Sequence, residues 1–247
     1  MKVHNNPELK RELMARLRSK YLTTRPEMPH LSELLYCLTR SYYDRFDKLE
    51  ATDKELLLFS IGFGLESVLL RDADSPAPVT QEVDGVWLTP DYVALSGGEL
   101  DLKSTRMYPN AEGSPSMGWP DTWIEQFKGY AYRMELANTG ALGPTGSVVG
   151  APHETVQYSV GILYLGGSGK PPDLECFTFV WTWKELTDNW AYVSTRKSVF
   201  MAHVNMRGVT DAIPTPFLWN KDWECRSCRY LLRCTELTKQ AKEKTNG

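Results

Sequence analysis

Hydrophobic and polar positions alternate along this chain with two different periods, and the change from one to the other outlines the elements. Residues 7–22 read as a basic helix. Leu31, Leu34, Leu35 and Leu38 fall at helical spacing within LSELLYCLTRSYYDRF, with Ser32 placed to cap a second helix and Cys37 on or beside its apolar face. A third helix is predicted from Thr52 or Asp53 through KELLLFSIGFGLESVLL, where Gly62 and Gly64 weaken helix propensity but allow close packing and Glu66 lies near the end.

From about residue 79 to 105 the period becomes two. EVDGVWL, DYVAL, a Ser96-Gly97-Gly98 turn and ELDLKST together predict a meander of antiparallel strands with Asp101 and Lys103 on one face. Residues 106–120, rich in Pro, Gly and Ser, form either a substrate-gating loop or a flexible insertion. A helix capped by Asp121 follows in DTWIEQFKGYAYRMELA. Next come a Gly/Pro-rich loop at 139–153, two strands in VQYSVGILYL and LECFTFVWTW, and a long helix near 184–206. GVTDAIPTPFLWN then leads irregularly into a cysteine-rich segment and a charged tail, KQAKEKTNG, that is expected to fray. This order predicts an α/β or α+β domain with a mixed central sheet flanked by helices. It divides into an N-terminal helical part (1–50), a core (51–208) and a C-terminal cysteine segment (209–247).

Composition narrows the function only slightly. The 247 residues, 42% hydrophobic and 24% charged, suffice for one well-buried core. The absence of an apolar run of about 18 residues, and of an apolar middle section in the first twenty, predicts a soluble intracellular (cytoplasmic) protein with no membrane partner. A net charge of −3 neither supports nor excludes nucleic acid, because it averages over patches. Five cysteines, three of them within CRSCRYLLRC, suit metal ligation better than disulfides.

Two groups of residues carry chemistry. Phosphodiester hydrolysis needs a hard cation such as Mg²⁺ or Mn²⁺ held by carboxylates, and Asp91 and Asp101 on neighbouring strands supply a pair, with Lys103 on the same face to offset developing negative charge. Asp84 is the alternative first acid; Asp91 is preferred because the short 96–98 turn places it almost opposite Asp101. By itself an Asp-x-Lys pattern is ordinary on the wet face of a sheet. The second group is Cys225-x2-Cys228-x5-Cys234, which needs a fourth thiolate from Cys37 or Cys176 and could hold either zinc or an iron–sulfur cluster.

Pro90-Asp91, Asp101-Leu102-Lys103 and a helix carrying Gln126-Phe-Lys-Gly-Tyr130 occur in the order found in RecB-type nucleases of the PD-(D/E)xK superfamily, whose helix bears a QxxxY motif. The chain resembles that group over roughly residues 30–236. The resemblance implies a restriction-endonuclease-like core and metal-dependent cutting of DNA. Asp91 and Asp101 would be metal ligands, joined by Glu66 where the group usually has histidine; Lys103 would activate the attacking water, and Gln126 and Tyr130 would line the site. CRISPR-associated exonucleases and AddB nuclease domains place one cysteine before the core and three after it. That similarity implies a [4Fe–4S] cluster on Cys37, Cys225, Cys228 and Cys234, and leaves Cys176 as a buried structural thiol. It further implies single-stranded DNA ends or overhangs as substrate and a CRISPR integrase complex as partner, while a phage or repair nuclease of similar build is equally compatible. Tyr108, Trp119, Trp123 and Tyr132 could stack unpaired bases or serve as packing residues. The rival is a catalytically silent DNA-binding or complex-assembly subunit, with iron–sulfur or zinc as a staple, and the missing histidine is its best argument. Oligomeric state is left open.

Overall fold

A computed structural model describes residues 7–20, 27–70, 80–93, 99–105, 119–140, 152–166, 169, 171–207, 224–225 and 228–236. Helix α1 (Pro7–Lys20) is tied by Arg18 to Asp53, 2.6 Å apart. The single helix expected over residues 31–46 is broken into α2 (Leu31–Leu35) and α3 (Leu38–Phe46). His30, not Ser32, caps α2: the Ser32 N–H donates to its imidazole, and the Glu33 carboxylate accepts the His30 N–H at 2.9 Å, closing a capping box. The break is held open from a distance. The buried Arg196 guanidinium donates to the carbonyls of Leu34 and, at 2.6 Å, of Tyr36, groups that a continuous helix would have bonded internally. Cys37 is thereby left at the N-cap of α3.

Helix α4 (Asp53–Leu69) begins as predicted, with Thr52 and Glu55 forming a capping box. Close packing at its glycines is not found, since a Cβ added at Gly62 or Gly64 would meet nothing within 4 Å. The expected strand EVDGVWL is instead a hairpin, β1 (Gln81–Val83) and β2 (Val86–Leu88). Asp84 (φ 48°) and Gly85 (φ 73°) between them adopt the left-handed pair that a two-residue primed turn requires, and Asp-Gly suits both positions. This hairpin forms its own two-stranded sheet, separate from the strands that follow.

The main sheet has the order β3 (Tyr92–Val93), β4 (Glu99–Thr105), β5 (Thr155–Tyr164), β6 (Asp173–Thr182). The β3–β4 and β5–β6 pairs are antiparallel and β4–β5 is parallel, so the predicted mixed sheet is present. A parallel pair needs a crossover, and α5 (Asp121–Asn138) lies between the two strands in sequence and packs on β5. Pro120 takes the N-cap of α5, making Asp121 its first residue rather than its cap. Helix α6 (Trp183–Asn205), opened by a Thr182–Glu185 capping box, packs beside α5. The result is a mixed α+β architecture whose core lies between the sheet and these helices: Val156, Tyr158, Val160, Ile162 and Tyr164 alternate along β5 into it, against Phe127, Tyr130 and Ala131.

On β6 the aromatics Phe177, Phe179 and Trp181 pack on the core, which turns Cys176 to the other face. Cys176 is exposed and is not the buried thiol expected from its apolar neighbours. The aromatics proposed for base stacking are engaged in packing: Trp119 lies against Phe177 and Phe179, Tyr132 is stacked between Trp183 and Trp190, and Trp123 packs against the core. Tyr108, the 96–98 turn, the proposed gating loop up to residue 118, most of the 139–153 loop, the 209–220 segment and the charged tail lie outside the described residues. Among the described residues no helix is long and apolar enough to cross a membrane.

Arg196→Ala would strand two carbonyls at a buried helix break. It is expected to cost about 3 kcal/mol in urea unfolding followed by tryptophan fluorescence. Arg196→Lys should not restore the loss, since a single ammonium cannot reproduce the planar fork.

Candidate active site and thiol cluster

The register of β4 decides where its charges go. Asp101 and Lys103 pair with Val160 and Ile162 of β5, both fully buried, so the acid and the lysine face the core side of the sheet, toward α5. Asp101 has no exposed surface. Continuing the β3–β4 register one step beyond Tyr92–Leu100 sets Asp91 opposite Asp101, and the Asp91 carboxylate accepts the Leu102 N–H at 2.8 Å. Lys103 Nζ approaches Asp101 Oδ2 to 2.5 Å and lies 5.8 Å from the centre of the Phe127 ring. Ion-pair distance is not hydrogen-bond alignment, however, and both Asp101 oxygens are buried without a well-aligned donor.

The electrostatics follow from that burial. Loss of solvent pushes Asp101 up to about 7; Lys103 opposes the shift and the like charge of Asp91 adds to it. For Lys103 burial acts downward, but Asp101 and Asp91 outweigh it and the ammonium is held above its ordinary value. Lys103 is therefore a fixed cation and not a base. On α5, Gln126 and Tyr130 share one face, and the Gln126 amide donates to the Tyr130 hydroxyl at 3.0 Å. Burial, then the charges of Asp101 and Asp91, raise the Tyr130 phenol well above its ordinary value, so it stays protonated.

Three further groups belong to this layer. Tyr158 of β5 stacks near Tyr130, has a buried hydroxyl without a hydrogen-bond partner, and is raised by burial and then by Asp101. Arg133 and Glu99 form an ion pair with side chains 1% and 8% exposed. Glu99 stands two residues before Asp101 and Arg133 three after Tyr130, so the faces already assigned to Asp101 and to Gln126–Tyr130 carried the signal for both.

Glu66 sits half-buried in α4, which touches β4. Among the described residues no group of three His, Cys, Asp or Glu side chains is drawn together as a single metal ion would need, and Glu66 is placed on a helix that touches the strand of Asp101. Asp84 is committed elsewhere: its carboxylate accepts the Trp190 indole N–H at 2.8 Å and its carbonyl accepts from Lys197. The chemistry of the Asp91–Asp101 pair, two close carboxylates of which Asp101 has both oxygens buried without a hydrogen-bond donor, fits a hard divalent cation.

The four cysteines singled out above do come together. Burial, then Cys37, Cys228 and Cys225 in that order, push the Cys234 thiol up to about 11, which requires all four within electrostatic reach. Cys37 reaches the group from the α2–α3 break, with its N–H donating to the Glu224 carboxylate at 3.0 Å. Four thiols together are a donor set that fits either one tetrahedral zinc ion or an iron–sulfur cluster.

No family model and no curated protein matches the chain. Among solved structures, the crystal structure of SSO0001 covers 92% of this chain and 95% of its own at 14% identity, with a TM-score of 0.53, a likeness of fold.

A carboxyl with a higher pKa in the folded chain than in the unfolded one binds its proton more tightly when folded. Asp101 thus favours the native state at low pH and progressively less as pH rises from about 4 through about 7. In metal-free protein, Asp101→Asn should remove this contribution, shifting the slope of unfolding free energy against pH in that window by up to about 1.4 kcal/mol per unit. Urea titrations at a series of pH values measure it.

Proposed function

We propose that this protein is a divalent-metal-dependent deoxyribonuclease acting on single-stranded DNA ends or overhangs. The observation that supports it is the carboxylate pair of half-buried Asp91 and fully buried Asp101, with a lysine held charged against Asp101. Asp91 and Asp101 are the residues that would hold Mg²⁺ or Mn²⁺. When bound, that ion polarises the phosphate and lowers the pKa of an attacking water. Lys103, kept as an ammonium, stabilises the negative charge that builds on the phosphoryl oxygens as the bond breaks. Tyr130, kept protonated and held by the Gln126 amide, presents a hydroxyl donor within electrostatic reach of Asp101. Asp101 must ionise before it can hold a cation, so metal loading and cutting favour pH above about 7.

Cys37, Cys225, Cys228 and Cys234 are assigned to a [4Fe–4S] cluster with a structural role, joining a helix break before the sheet to a segment after it. A CRISPR integrase that captures the trimmed end is the partner this reading favours. The second reading, a silent DNA-binding subunit, draws on Glu66 standing where the resembled nucleases usually have histidine.

Asp101→Ala should abolish Mn²⁺-dependent degradation of labelled single-stranded DNA, and Lys103→Ala should slow it about 100-fold or more. Tyr130→Phe keeps the ring and should cost on the order of tenfold, the worth of one hydrogen bond. DNA binding without cutting by the wild type, with every divalent ion tried, would sink the enzyme and favour the silent subunit.

A further inference from the structure

The three C-terminal thiols are held against the N-terminal helices by bonds that involve no sulfur. Asp44 of α3 is buried, and one of its oxygens accepts from Arg229 at 2.6 Å and from the Tyr230 hydroxyl at 2.7 Å. The same Tyr230 hydroxyl accepts the Leu49 N–H at 3.2 Å, and its ring stacks on Tyr43 with centroids 5.1 Å apart. Arg229 also lies 3.8 Å from Glu55 of α4, and Arg233 pairs with Asp47 while lying over the rings of Tyr43 and Tyr230.

Position gives this network its meaning. Asp44 is seven residues after Cys37 and on the same side of α3, and its partners Arg229 and Tyr230 stand between Cys228 and Cys234 in the chain. At the other flank Glu224, next to Cys225, grips the Cys37 N–H. Each thiol of the C-terminal segment is thus bracketed by a contact to the element that carries Cys37. Small metal sites usually order only when metal binds. Here buried hydrogen bonds to a charged acceptor tie the segment to α3 without using any sulfur.

We propose that Asp44 is the positioning residue of the four-thiol site. It docks the C-terminal segment on α3 independently of metal, so that the cluster assembles on a preformed set of thiols and can be lost and rebuilt without undocking. This rests on the cofactor reading above, and the test separates the two.

The full chain is stripped of metal by chelator under reducing conditions, and hydrogen exchange is followed over residues 228–236. It is then reconstituted anaerobically with ferrous iron and sulfide, reading absorbance near 400 nm and iron and sulfide content. Stripped wild type should keep those amides protected and regain its full cluster. Asp44→Asn and Tyr230→Phe should lose the protection and release iron to chelator at least about tenfold faster. Leu186→Ala, a core truncation in α6, controls for general instability; it should lower the melting temperature and leave cluster retention unchanged. Protection equally absent from stripped wild type, or retention by Asp44→Asn equal to wild type, overturns the proposal. So does equal cluster loss in Leu186→Ala. Wild type that takes up neither iron nor sulfide overturns the cofactor reading, and the exchange comparison still decides whether Asp44 docks the segment.

Discussion

Asp101 is placed where a carboxylate is least welcome, in the middle of a strand and paired across the sheet with the fully buried Val160 of its parallel neighbour. Nothing in an apolar core tolerates that charge unless other groups answer it. Lys103 supplies the countercharge from the same strand, and Tyr130 and Gln126 supply a polar wall from α5. The Arg133–Glu99 pair extends the same layer one step further along both elements. The arrangement reads as two facing rows, Glu99, Asp101 and Lys103 on the strand and Arg133, Tyr130 and Gln126 on the helix.

The rows meet because β4 and β5 are parallel. An antiparallel return would have allowed a tight turn; the parallel one requires a crossover, which brings α5 between them in sequence and packs it on the sheet. Placement of the helix motif over the acid and lysine is thus a consequence of strand direction. The buried polar layer costs folding free energy, and perturbed groups of this kind concentrate where chemistry is done. That association, and not any single short contact, is the physical ground for assigning the site.

The thiol group depends on a second long-range constraint. Were residues 31–46 one helix, Cys37 would be fixed by its periodicity; Arg196, reaching from α6, keeps the helix broken and Cys37 at its N-cap. The same α3 then carries Asp44, so one short helix both holds Cys37 at its start and binds the segment that carries Cys228 and Cys234.

Periodicity and capping settled much of this protein at the level of sequence. The strands around 99–105, 155–164 and 173–182, the helices around them, the Thr52–Glu55 cap and the proximity of Asp91, Asp101 and Lys103 were all legible, because each rests on contacts within a turn or across one strand pair. Gathering the cysteines needed the resemblance as well, since spacing left Cys37 and Cys176 open. Tertiary structure decided the helix break at Cys37, the hairpin at Asp84-Gly85 that leaves the main sheet, the exposure of Cys176 and the openness around Gly62 and Gly64. It also decided that Asp101 is wholly buried and that Arg133 and Glu99 meet. Those outcomes depend on partners up to 162 residues away in the chain, and burial is a property of what packs around a residue, which no local pattern contains.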